Sequence, residues 1–159
     1  MSIEFREASL PTKPALKLDE YLPYLVNRVG TALVERFTRE ALAAHSLSID
    51  MWRVLARLAS NDGQRQIDLA AATSIEASTI SRIVTRLMRL GFVRRTRSRT
   101  SNREVVVQLS PQGRALVKKL IPVALKLERM AVACVSSAEL AQLKRSLAKV
   151  YESLAAGAP

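Results

Sequence analysis

Guanidinium groups at Arg82, Arg86, Arg89, Arg94, Arg95, Arg97, Arg99 and Arg103 crowd the stretch EASTISRIVTRLMRLGFVRRTRSRTSNRE, which carries no acid between its end residues Glu76 and Glu104. The hydroxyls of Ser78, Thr79 and Ser81 stand just ahead of the first of them. A guanidinium fork matches a phosphate or the edge of a guanine, and a short hydroxyl donates or accepts a hydrogen bond. Solvated helix faces ordinarily mix both signs, because like charges one turn apart repel. This segment does not mix them, so its chemistry is that of holding a polyanion.

Other chemistries find little to work with. There is one histidine, His45, and one cysteine, Cys134, with no CxxC, HExxH or glycine-rich phosphate loop, so neither a catalytic centre nor a metal or cofactor site is expected. His45 reads as a loop residue. Cys134, inside the apolar run MAVACV, reads as a buried inert thiol, and a lone cysteine suits a reducing cytoplasm. The 159 residues include 25 Lys and Arg against 14 Asp and Glu, a net charge of +11, which favours nucleic acid or an acidic membrane surface as partner. No apolar run reaches the roughly 20 residues needed to cross a bilayer, and no secretory signal opens the chain. A basic helix lying on a membrane would expose an apolar face, and here that face is more economically a core. No membrane partner is expected.

The elements that must position the arginines follow from periodicity. Residues 1–15, with two prolines around Lys13, read as a flexible arm. Leu22, Leu25, Val26, Val29, Leu33 and Phe37 recur at helical spacing, predicting one long helix from Asp19 to Ala44. Ser48 is a cap, and Asp50 a first-turn acid, for a second helix carrying Met51, Trp52, Val54, Leu55 and Leu58, ended by SNDG. A short helix over QIDLAAA and a turn near Thr73 and Ser74 lead to a helix from about Glu76 to Leu90. Its inward face is Ile80, Ile83, Val84 and Leu87, and Gly91 stops it. Then the period changes. FVRRTR and REVVVQL, joined by SRTSN, predict a hairpin. Ser110 and Pro111 open a further helix, with a bend expected at Pro122, and Ser136 with Glu139 has capping-box spacing for a last one. Leu140, Leu143, Leu147, Val150 and Leu154 give that last helix a packing seam.

The fold class expected is therefore mainly α with a small β-hairpin wing, a winged helix-turn-helix at 48–110 flanked by long helices at 16–47 and 111–155. In such an arrangement the second helix of the motif lies in the major groove and the hairpin reaches along the backbone. Ser78, Thr79, Ser81 and Arg82 occupy the first two turns of that helix. Arg82 is suited to forking onto a guanine, and Arg97 and Arg99 to meeting phosphates. Ser78 and Thr79 suit either DNA contact or capping of their own helix.

In order, spacing and residue type, LSIDMWRVLARLA, DLAAATSIEASTISRIVTRLMRLGFVRR and REVVVQLSPQGRAL resemble the MarR family of bacterial transcriptional regulators, over about Asp19 to Leu154. The resemblance implies a homodimer with intertwined terminal helices, binding double-stranded DNA at a pseudo-palindromic operator. It implies recognition-helix contact positions at Ser78, Thr79 and Arg82, a bracing arginine at Arg86 and a wing-tip arginine at Arg103. Two acids usual in the family are missing: Thr85 precedes Arg86, and Ser101 stands two residues before Arg103. The resemblance also implies a repressor released by a small aromatic anionic effector, an aromatic acid, a phenol or an aromatic acyl thioester of coenzyme A. Tyr21, Tyr24, Arg28 and Trp52 are compatible with receiving it, although each also suits packing or a solvated surface. The competing function is a nonspecific nucleoid- or RNA-binding basic protein, since charge alone does not separate the two.

Overall fold

The computed structural model describes residues 15–98 and 104–157, in two compact units, 1–32 and 33–159. The first unit holds a 3-10 turn at Leu18–Glu20 and most of helix α1, Leu22–Phe37. Asp19 and Glu20 thus sit in a separate turn ahead of the helix rather than inside it.

The expected single helix to Ala44 is not continuous. After Phe37 the backbone widens into a π turn, Thr38–Leu42, then tightens into a 3-10 turn, Ala43–His45, and stops where Ser46 takes φ 56°. Hydrophobic spacing alone does not distinguish these pitches, because Phe37, Ala41 and Leu42 are buried all the same. Ser48 then caps α2, Ile49–Ser60, its hydroxyl accepting the Met51 N–H at 3.3 Å. Met51, Val54, Leu55 and Leu58 form the buried stripe of that helix.

Helix α3, Gln66–Thr73, ends at Ser74 with φ 54°, and the turn delivers the chain to α4, Ala77–Arg89. Every residue expected on the inward face of α4, namely Ile80, Ile83, Val84 and Leu87, is buried. Its end is a Schellman turn: Phe92 N–H reaches Leu87 O at 2.9 Å, Gly91 N–H reaches Met88 O at 3.0 Å, and Gly91 supplies φ 77°.

Strands β1, Val93–Arg97, and β2, Val105–Leu109, pair antiparallel with Val93 opposite Leu109 and Arg97 opposite Val105. Gln64 adds a bridge to β2 that periodicity did not reveal, exchanging backbone hydrogen bonds with Val107 at 3.1 and 2.8 Å. The hairpin is thereby stitched to the segment just ahead of α3.

Helix α5, Pro111–Ala131, is capped by Ser110, whose hydroxyl accepts from Gly113 N–H at 2.9 Å, and it runs on through Pro122. Helix α6, Ser137–Ala156, opens with the expected capping box between Ser136 and Glu139. Cys134 lies in the turn between α5 and α6, outside both apolar helix faces, and is exposed, so the buried-thiol expectation is corrected. Among the described residues, no helix is long and apolar enough to cross a membrane.

Candidate nucleic-acid interface

Helix α4 presents two unlike faces because its sequence alternates them at helical spacing. The apolar face is sealed into the core, and its packing fixes the rotation of the helix, so Ser78, Ser81, Arg82, Arg86 and Arg89 must point outward. Thr79, at the edge between the faces, is half-buried.

The N-cap of α4 is Glu76, without a side-chain cap bond, and the hydroxyls of Ser78, Thr79 and Ser81 make no hydrogen bond to another described residue. Capping does not occupy them. Thr85, in the place where the family often has an acid, donates instead to the Ser81 carbonyl at 2.9 Å. Arg82 and Arg86 have no ion-pair partner among the described residues, so their charge is available to an outside anion.

Two shallow grooves flank this face. One is lined by Ser48 and Met51 at the start of α2 and by Thr79, Arg82, Ile83 and Arg86; the other by Ser81, Arg82, Thr85, Arg86 and Arg89. Ser48 was legible in sequence only as a cap, and nothing local signalled that its helix end would border the arginines of α4. A helix start with a cationic wall is a natural seat for a phosphate.

On the hairpin, Arg94, Arg95 and Arg97 are exposed, with Arg97 at the end of β1. Arg99 and Arg103 lie outside the described residues. Below the hairpin, Arg65 forks onto Asp68 at 2.7 and 2.9 Å and reaches Glu104 at 3.4 Å. The Asp68 carboxyl is held below its ordinary pKa by the hydrogen bond from Arg65, and that pair in turn raises the guanidinium pKa. Asp62 is a second anchor, accepting the Leu109 N–H at 2.9 Å and pairing with Arg114 at 2.8 Å.

Of the residues expected to meet an effector, Tyr21, Tyr24 and Arg28 belong to the first unit, where Tyr24 is half-buried and the other two are exposed. Trp52 belongs to the second, its ring edge-on to Phe37 with centroids 5.3 Å apart. Those two rings border an apolar cavity of about 220 Å³ completed by Leu33, Val34, Ile49, Ala124, Leu127, Glu128, Ala131 and Val132.

An exposed cationic helix beside an arginine-bearing hairpin is the arrangement of a winged helix reading DNA, and the likenesses agree. The model of the MarR family matches residues 47–105. A MarR-family transcriptional regulator from Silicibacter pomeroyi is 30% identical, with a TM-score of 0.72 over 84% of this chain and 90% of its own. The transcriptional repressor Rv2887 of Mycobacterium tuberculosis is 27% identical over 83% of this chain and 94% of its own length. BpsR of Bordetella bronchiseptica, whose DNA binding is regulated by 6-hydroxynicotinic acid, shares the fold at a TM-score of 0.77 and 23% identity, over 87% of this chain and 98% of its own. The chain belongs to the MarR family of winged-helix, DNA-binding transcriptional regulators.

Proposed function

We propose that the protein is a cytoplasmic homodimeric repressor that binds a pseudo-palindromic operator and is released by a small aromatic effector. The observation that carries the DNA-reading part is the outward face of α4, where hydroxyls and the guanidiniums of Arg82 and Arg86, without side-chain partners among the described residues, stand on a helix whose other face is locked into the core. Arg82 forks onto a base edge, Ser78, Thr79 and Ser81 settle the helix against bases and phosphates, Arg86 braces it, and Arg97, Arg99 and Arg103 hold the flanking backbone.

Dimerisation through 16–47 and 111–155 is supported by apolar side chains that a single copy leaves in water. On α6, Leu143, Leu147, Val150 and Leu154 are exposed, and in the first unit so are Leu22, Leu25, Val26 and Val29. A second copy covers such surface with the same surface.

The aromatic effector is supported by the cavity at Phe37 and Trp52, which offers ring edges and aliphatic walls. The regulation of BpsR by 6-hydroxynicotinic acid supports a ring-bearing acid, as does a net charge of +11. The decisive experiment is selection of bound genomic fragments, followed by affinity measurement on the recovered duplex and on random duplex. Preference for the recovered duplex by orders of magnitude is expected. Equal affinities would instead assign the nonspecific nucleoid- or RNA-binding role.

A further inference from the structure

The position ahead of α3 holds a residue that its local role does not explain. Arg65 is the N-cap of that helix, with extended φ −69° and ψ 155° and no side-chain cap bond. Helix N-caps favour Ser, Thr, Asp or Asn, whose oxygens accept the orphan N–H groups, and the positive end of a helix dipole disfavours a cation. A locally poor choice of this kind points to a task elsewhere.

The side chain shows where. Asp68, one turn into α3, grips the guanidinium with both oxygens at 2.7 and 2.9 Å, which aims a remaining nitrogen at the Glu104 carboxylate, 3.4 Å away and 39 residues along the chain. Glu104 stands just ahead of β2, at the loop end of the hairpin, where its carbonyl accepts the Ser98 N–H at 2.7 Å, and its neighbour Val105 pairs with Arg97. It is also the only acid from Ala77 to Val105, so it is the one group there that would repel a phosphate drawn to Arg97.

We propose that Arg65 is a positioning residue for DNA binding, an internal counter-cation that masks Glu104 and ties the loop end of the hairpin to α3 so that Arg97 meets the DNA backbone unopposed. Arg65 itself touches no phosphate. The inference rests on the reading that the hairpin meets DNA, and its test separates the two.

Arg65→Ser supplies a better helix cap, so thermal stability should hold or rise while DNA affinity falls. Binding to a mixed-sequence 30-base-pair duplex, followed by fluorescence anisotropy at low salt, should weaken by about three- to tenfold, the scale of one uncompensated charge near a phosphate. Adding Glu104→Gln to that variant should restore affinity, because the unmasked acid is then gone. Unchanged affinity in Arg65→Ser, or a loss that Glu104→Gln does not rescue, overturns the proposal; the latter outcome makes Arg65 a direct phosphate contact. Arg97→Ala is the control: if it weakens binding while Arg65→Ser does not, the hairpin reading stands and the masking role falls. If Arg97→Ala also leaves affinity unchanged, the hairpin reading itself fails.

Discussion

Arg82 and Arg97 carry the same charge into different surroundings, and their substitutions should differ accordingly. Arg82 projects from a helix held rigidly by Ile80, Ile83, Val84 and Leu87, so its fork is presented at a fixed angle, as a bidentate base contact requires. Arg82→Ala should cost about 1 to 3 kcal/mol on the operator and relax discrimination at one base pair. Arg97 stands at the exposed end of a two-stranded ribbon, where a phosphate contact needs only proximity. Arg97→Ala should weaken all duplexes alike and reduce the salt slope by about one. Titration of both variants against operator and random duplex across a salt series reads the contrast, and equal losses on both duplexes for Arg82→Ala would demote it to a phosphate contact.

Elements owe their positions to a few close approaches. Gly113, in the first turn of α5, lies where an added Cβ would come within 2.0 Å of the Phe92 carbonyl oxygen, the same oxygen that accepts the Ser110 N–H at 3.0 Å. Gly113→Ala must therefore displace either α5 or the start of the hairpin, and should lower stability by about 1 to 3 kcal/mol in denaturant unfolding; a wild-type midpoint would contradict this tight seat. The cap of α6 makes a pH prediction. Hydrogen bonds from Ser136 hold the Glu139 carboxyl below its ordinary pKa, so its contribution is full above the unfolded pKa of about 4.3 and is lost as pH falls through the lower folded value. Helicity on acid titration should fall less steeply in Glu139→Gln, and parallel curves would refute the cap's role. Such caps were legible beforehand because they are local: Ser48, Ser110, Ser136 and Gly91 each act on residues within one turn. The outward face of α4 was legible because burial of its opposite face follows from the helical period. What periodicity could not supply was the bridge from Gln64 to Val107, the reach of Arg65 to Glu104, or the groove beside Ser48, since each joins residues distant in sequence. The π turn after Phe37 escaped for another reason, the spacing of apolar residues being tolerant of a change in pitch.

For the whole molecule, the proposed dimerisation and release would be linked, because a dimeric repressor with two reading helices responds to any change in their separation. If apolar seams such as that of α6 close against a second copy, sedimentation at micromolar concentration should give a dimer, and footprints should show half-site centres about 34 to 36 Å apart. A monomer, or protection of one half-site alone, would remove that assembly. Release then obeys a thermodynamic constraint: an effector lowers DNA affinity only as far as it prefers the arrangement that does not hold DNA, and the coupling is reciprocal, typically about 1 to 3 kcal/mol. The cavity at Phe37 and Trp52 is suited to exerting it, because its walls come from α1, α2 and α5, and α2 also borders the groove containing Thr79, Arg82 and Arg86. A ring wedged against α2 acts on an element that the reading helix touches. Aromatic acids and thioesters that bind the free protein should therefore bind the operator complex several-fold less tightly. Trp52→Ala should weaken ligand binding while leaving operator affinity within about twofold, since Trp52 lines the cavity and not the groove. Calorimetry with and without operator measures both quantities. Equal ligand affinity in the two states, for compounds that do bind, would sink release by this route while leaving the reading of DNA by α4 intact, because uniform binding shifts no equilibrium however tight it is.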